Sequence, residues 1–351
     1  MHVFFEQSKP VIARELARQA AAYARDLSRV NSWGPDAVNR LAAFASSGKM
    51  VRGGLLLLAA SMHGAGRARP VVAAAAAMEL LHSSLLVHDD IMDNDRLRRG
   101  SPTVFAQYER LARRAGRAAS GFGRSMGICA GDVGYFLAWD ILSRLAVEPQ
   151  RRAALLSLVS RELACVGIAQ MQDVAFGAFP DLPAPGDVLT LYLYKTARYT
   201  FSLPLAAGAI LAGASRSDVG KLITLGTYLG VVFQVRDDDL GVFGSRARTG
   251  KPVGSDIREG KKTLMYLELL RRARGAERKR FASLLGKKTL PASDLRAVRE
   301  AVERLGVRQR LGELAEELAQ EAGRIVDTLD IAPRHRATLS QICGQSTHRS
   351  S

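Results

Sequence analysis

Apolar residues recur along most of this chain at three- and four-residue spacings, the period of a helix that buries one face. From 9 to 30 the pattern predicts an opening amphipathic helix, ended by Asn31-Ser32-Trp33-Gly34-Pro35. A second helix is expected from about Asp36, and a third over 50–63 after the break at Ser46-Ser47-Gly48. Over 70–93 the apolar positions run nearly all the way round, as in a helix sunk in a core. Further helices are expected near 118–145, 150–175, 187–212 and 217–242, followed by a charged amphipathic C-terminal third. The clearest loops are 179–183 and the Gly-rich, charged 244–259, long enough to need a functional reason. Neither a linker nor a short-period repeat interrupts this series. The expectation is therefore all-α, a single domain over 1–351 built as a bundle of long helices, with 344–351 a frayed tail.

Composition changes this picture little. Hydrophobic residues make up 47% of the 351 positions and charged residues 24%, ordinary for a globular protein with a sizeable core. The net charge of +16 favours anionic partners without choosing among nucleic acid, membrane and phosphorylated small molecules. Much of it is Arg interleaved with Glu, as over 304–321, the mark of a solvated face. Cys129, Cys165 and Cys343 are odd in number and widely spaced. They suggest neither a disulfide framework nor a zinc site, and they fit a reducing, cytoplasmic setting. The longest uninterrupted apolar stretches, 204–214 and 71–78, are too short to span a bilayer, so no stable membrane insertion is expected.

Two acidic constellations carry the chemistry. In His88-Asp89-Asp90-Ile91-Met92-Asp93, Asp89 and Asp93 are four apart and share a helix face, so both carboxylates can approach one cation. Magnesium is normally held this way, by one or two carboxylates completed by water and phosphate oxygens. The apolar run Leu80, Leu81, Leu85, Leu86 and Val87 leads straight into this acidic end. The second constellation, Phe233-Gln234-Val235-Arg236-Asp237-Asp238-Asp239, repeats the layout, with Gln234 one turn before Asp237. Two helices that turn from apolar to acidic suggest a central apolar cavity with a metal-lined mouth. Arg98 and Arg99 follow the first set; Lys251, Arg258, Lys261 and Lys262 follow the second. Gly48-Lys49-Met50-Val51-Arg52 stands at a helix start, where free backbone N–H groups also favour an anion. Singly, each cation reads as surface charge; clustered around metal motifs, they read as phosphate ligands.

These residues resemble the trans-isoprenyl diphosphate synthases, or polyprenyl synthetases, of the geranylgeranyl diphosphate synthase type. The resemblance runs from about Gly48 to Thr263. It rests on LLHSSLLVHDDIMDNDRLRRGSPTV, KTARYTFSLPLAAGAILAG, and FQVRDDDLGVFG followed by TGKPVGSDIREGKKTL, in that order. It implies the isoprenoid synthase fold, a homodimer, and three magnesium ions per active site. It implies metal binding by Asp89, Asp93 and Asp237, supported by Asp90 and Asp238. An allylic diphosphate would be held by Arg98, Lys195, Lys251 and Lys261, and isopentenyl diphosphate by Gly48, Lys49, Arg52, His82 and Arg99. Thr196 and Gln234 would line the reaction centre beside Lys195, with Gln170 and Asp173 on a neighbouring helix. Product length would be set beneath Asp89 by Leu85, Ser84, Leu81 and Met78. Ser84 and Leu85 stand where short-chain members tend to carry bulky aromatics, which favours geranylgeranyl diphosphate over farnesyl diphosphate and leaves longer chains open.

The chain departs from the family pattern in places. Gly241 stands where many members carry a third Asp, Asp239 is an extra carboxylate, GKMVRGG lacks the usual Arg-Pro, and Phe105 replaces a common His. A terpene cyclase would share the first motif but usually carries a different second one and lacks the cations at Lys49 and Arg52. A non-catalytic synthase subunit would not need intact Asp motifs. A nucleic-acid binder would leave the carboxylate pairs unexplained.

Overall fold

The computed structural model describes residues 3–244, 253–287 and 289–347. Among these, the ordered elements are helices apart from one two-stranded hairpin. The backbone falls into two compact units, Met1–Ser157 with Ala207–Ala214, and Leu158–Ala206 with Ser215–Ser351.

The first unit contains α1 (Val3–Leu27), α2 (Trp33–Ser46), α3 (Val51–Met62), α4 (Arg69–Met92), α5 (Val104–Arg114) and α6 (Ser120–Ser143). It also takes the first residues of α7 (Pro149–Ala178) and the last of α9 (Leu203–Ala212). Pro70 opens α4, where its missing N–H costs no helical hydrogen bond. The alanines from Ala73 to Ala77 keep α4 slender at its middle, and the helix packs on α1, α3 and α6. Its fit to α6 is close: a Cβ on Gly134 would stand 2.1 Å from the Ser84 Oγ, so a larger residue would have to displace that hydroxyl. The hairpin β1 (Leu97–Arg98) and β2 (Ser101–Pro102) turns at Arg99 and Gly100, both at positive φ (53° and 76°). Two-residue hairpins favour that conformation. Alternation over so few residues is invisible in the sequence, and α5 was likewise not foreseen.

The second unit is built round α10 (Arg216–Phe243). Its start is fixed by Ser215, whose hydroxyl accepts the Asp218 N–H at 3.0 Å. The buried side chains Leu222, Leu225, Leu229 and Val232 line its inner face. The expected helix over 187–212 is three segments: α8 (Pro185–Leu191), a π-helical stretch Tyr192–Ser202, and α9. The remaining helices are α11 (Ser255–Arg258), α12 (Leu264–Arg272), α13 (Gly275–Ala282), α14 (Ala292–Arg304), α15 (Val307–Asp327) and α16 (Pro333–Thr347). The loop expected over 244–259 thus ends in a helical turn. Gly344–Thr347, expected to fray, belong to α16.

The structure corrects the length argument against membrane insertion, though not the expectation itself. By length and composition, α4 and α7 are each apolar enough to cross a membrane. Neither helix holds an uninterrupted apolar run of 18 residues, but an average over an 18-residue window tolerates scattered polar ones. In α4, 78% of that window is buried within the protein; in α7, 28% is.

Candidate active site

The first acidic set stands on the last turn of α4. Asp93 caps the helix, its N–H donating to the Asp89 carbonyl at 2.9 Å, and its side chain is exposed. Asp89 is half-buried, whereas Asp90 is fully buried. Arg98 reaches back from β1, its Nε 2.6 Å from Asp90 and its Nη2 3.4 Å from Asp89. Burial pushes the Asp90 carboxyl up to about 7, against the pull of Arg98. The neighbouring His88 Nε2 lies 3.1 Å from the Ile128 carbonyl of α6, fixing this turn against that helix.

Beside it in the same unit lies a cationic group. α3 begins at Met50, which adopts a left-handed φ of 52° and gives no side-chain cap. Glu79 of α4 caps α3 instead, accepting the Gly53 N–H at 2.7 Å. Burial raises the Glu79 carboxyl, opposed by Gly53 and by the charges of Arg52 and Arg99. Arg99 holds the end of α2, donating to the Ser47 hydroxyl at 3.1 Å and the Phe44 carbonyl at 3.3 Å, and its guanidinium lies against Gly48. His82 is pushed well below its ordinary value by burial, then by Arg52, Arg99 and Arg98, so its imidazole is neutral at pH 7. The structure therefore brings Gly48, Arg52, His82 and Arg99 together round Glu79. Lys49 is exposed on the same segment. Glu79 was not singled out from the sequence, because a Glu in an apolar helix gives no sign of the helix end it caps.

In the second unit, three consecutive carboxylates on α10 meet three environments, since helical side chains fan out by about 100° per residue. Asp237 is exposed. Asp238 is buried: the Tyr192 hydroxyl donates to one oxygen and the Gln234 amide to the other at 3.2 Å. Burial raises the Asp238 carboxyl well above its usual range. Asp239 pairs with Arg308 at 2.7 Å. The network extends from Gln234, which accepts the Thr196 hydroxyl at 3.0 Å, and from Tyr192, whose oxygen accepts the Leu264 N–H at 2.9 Å. Tyr192, Lys195 and Thr196 all lie on the π-helical stretch, a feature frequent at functional sites. Tyr192 was missed because nothing in the spacing links it to a carboxylate 46 residues on.

Lys195 pairs with Asp173 of α7. Gln170 stands on the same helix, half-buried. Lys261 pairs with Glu259 at 3.0 Å, and Lys262 is spent on structure, its ammonium donating to the Phe179 carbonyl at 2.6 Å and to that of Asp181. Lys251 lies outside the described residues. At Gly241, a Cβ would stand 2.7 Å from an Asp256 carboxylate oxygen. The place of the family's third Asp is thus crowded by a carboxylate from α11.

Of the residues expected to set product length, Met78, Leu81 and Ser84 are buried on α4 and Leu85 is half-buried. Ser84 also donates to the Leu80 carbonyl at 2.9 Å.

Among the described residues no three His, Cys, Asp or Glu side chains converge as a closed metal site. Magnesium does not need one, because it keeps water and takes substrate phosphates beside one or two carboxylates. Asp89 with Asp93, and the exposed Asp237, are donor sets of that kind.

Comparison with known proteins gives these features a context. The sequence pattern of the polyprenyl synthetase family matches residues 38–303. A short chain isoprenyl diphosphate synthase of Methanothermobacter thermautotrophicus is 34% identical over 258 residues, 74% of this chain and 72% of that one. A geranylgeranyl diphosphate synthase of Sulfolobus acidocaldarius is 34% identical over 254 residues, 72% of each chain. Among solved structures, the geranylgeranyl pyrophosphate synthase of Corynebacterium glutamicum, complexed with isoprenyl diphosphate and magnesium, superposes with a TM-score of 0.91. It is 28% identical, over 98% of this chain and 99% of that one. With the matched region spanning both acidic sets and most of the chain, the protein belongs to the polyprenyl synthetase family and is a trans-prenyltransferase of the all-α isoprenoid synthase fold.

Proposed function

We propose that this prenyltransferase condenses isopentenyl diphosphate with an allylic diphosphate (dimethylallyl, geranyl or farnesyl) in a magnesium-dependent reaction, and that its product is geranylgeranyl diphosphate. The observation that carries the product assignment is the pair Ser84 and Leu85, without an aromatic ring, one turn below Asp89. Asp89, Asp93 and Asp237 are the metal ligands in this reading, with Asp90 and Asp238 holding the chain beneath them. The metal, as three ions per site, supplies charge neutralisation on the departing diphosphate.

The residues of the chain do the rest. Arg98, Lys195, Lys251 and Lys261 hold the allylic diphosphate, and cations placed where charge develops lower the barrier to ionisation. Gly48, Lys49, Arg52, His82 and Arg99 hold isopentenyl diphosphate; a neutral His82 offers a hydrogen bond without adding charge. Thr196 and Gln234 border the carbocation, which apolar walls keep from water. The double bond of isopentenyl diphosphate attacks the cation, and a proton then leaves to the released diphosphate. No Ser, Cys or His nucleophile is required.

The protein acts as one catalytic domain, in the cytoplasm, without nucleic acid and as a homodimer; light scattering reads the dimer as a particle of twice the chain mass. Purified protein with magnesium, labelled isopentenyl diphosphate and each starter tests the whole reading. Chromatography should show a twenty-carbon product. A fifteen-carbon or longer polyprenyl product corrects the length, and no product with any starter refutes the reading.

A further inference from the structure

Asp239 follows Asp237 by two residues, about 200° round the helix, so the two point to opposite sides of α10. Its carboxylate takes a two-pronged ion pair from Arg308, with Nε 2.7 Å from one oxygen and Nη2 3.2 Å from the other. The same guanidinium lies over the Phe243 ring, 4.0 Å from its centroid, and its Nη1 reaches Glu303 at 2.7 Å. One residue before Phe243, the Val242 carbonyl accepts the Arg299 Nε–H at 2.8 Å. Two arginines, from α14 and α15, therefore grip the final turn of α10 at its negative end, where cations are favoured. Both helices are seated by a common core in which Val298, Val302, Val307 and Leu311 pack with Val235 and Val242 of α10. Arg308 lies beyond the family-matched residues 38–303, so nothing in the family pattern accounts for this contact.

We propose that Asp239, Arg308 and Arg299 form a clamp that sets the rotation and height of the last turn of α10, and so positions Asp237 for its metal. Asp239 is a positioning residue, not a ligand. A single hydrogen-bonded contact would constrain the turn in one direction; a planar fork on Asp239 stacked on Phe243 constrains two at once. The inference rests on the assignment of Asp237 as a metal ligand.

The test uses the full chain, magnesium, farnesyl diphosphate and labelled isopentenyl diphosphate. Arg308→Ala and Asp239→Asn should each raise the magnesium half-saturation and the allylic KM by roughly tenfold, the usual loss when a residue behind a metal ligand is removed. The KM for isopentenyl diphosphate, whose assigned residues are in the other unit, should change less than about twofold. The double exchange Asp239→Arg with Arg308→Asp should recover most of the loss, which it could not do if Asp239 bound the metal itself. Asp239→Asn is nearly isosteric and guards against misfolding. If it melts like the parent and keeps the parental magnesium half-saturation, the clamp is overturned; so too if all three constants rise equally, or if the exchange fails to rescue. An unmodified protein that makes no product overturns the functional reading and this inference with it.

Discussion

At the scale of single residues, the two acidic sets share a division of labour that the letters DD conceal. In each pair the first carboxylate is the more exposed, Asp89 half-buried and Asp237 at the surface, and the second is buried, Asp90 on Arg98 and Asp238 on Tyr192 and Gln234. Removing them should therefore have different signatures. Asp237→Ala should lower kcat/KM by about 100-fold or more, the order of losing one charge-stabilising contact, and should lower the melting temperature less than removal of the buried Asp238. Asp238→Ala should lower activity and also cost about 1–3 kcal/mol of stability, because it strips a partner from the buried Tyr192 hydroxyl and from the half-buried Gln234 amide. Steady-state rates and thermal melts on the same preparations separate the two. Glu79 makes a pH prediction. Its folded value lies above the ordinary 4.5, so its proton is bound more tightly in the folded chain than in the unfolded one. That contribution to stability is complete below 4.5 and is lost as pH rises through the raised value. Glu79→Gln keeps an acceptor for Gly53 but cannot titrate. Its melting temperature should fall less than the parent's as pH rises through this window, and parallel curves would show that Glu79 is not the group responsible.

At the scale of elements, the main helices were legible because an apolar pattern sustained between breakers over 12 or more residues is a strong signal. The structure starts α3, α4 and α10 within one residue of where the pattern put them. Shorter features were not: the hairpin at Leu97–Pro102 and the turn of α11 are too brief for any period. The π-helical stretch carries no compositional mark, and the partners of its Tyr192, Lys195 and Thr196 lie on other helices. The acidic motifs were readable as neighbours in sequence, but their capping and pairing residues, Glu79, Tyr192 and Arg308, come from distant segments. The product-length prediction belongs here, because it concerns the fit of α4 to α6. Ser84→Phe places a ring where the Oγ already meets the space over Gly134, so it should shorten the product and cost about 1–3 kcal/mol through overpacking. Leu85→Phe, at a half-buried position, should shorten the product at a smaller cost in melting temperature. Products of unchanged length from both would remove Ser84 and Leu85 from the floor of the cavity.

For the molecule as a whole, the open question is raised by α4 and α7, each long and apolar enough to span a bilayer. For α4 the core answers it, since most of its apolar window is already covered by protein. For α7 the answer lies in charge. Glu162 is buried and makes a two-pronged pair with Arg198, one contact at 2.9 Å, and Asp173 pairs with Lys195. Arg198 and Lys195 both belong to the π-helical stretch, so α7 is tied by two ion pairs to the segment that carries Thr196. Moving α7 into hydrocarbon would break both pairs and leave two carboxylates to be buried or neutralised, at about 2.5–3.5 kcal/mol for an acidic residue near the middle of a span. It would also detach Lys195, a proposed diphosphate ligand. The proposed role of Lys195 therefore requires α7 to stay paired with the π-helical stretch. When cells expressing the chain are lysed and their membranes washed with alkaline carbonate, the protein should be recovered in the supernatant with its prenyltransferase activity regained on return to neutral pH. Retention in the washed pellet, with the 149–178 segment protected from added protease, would mean that α7 spans, and would withdraw Lys195 and Asp173 from the site.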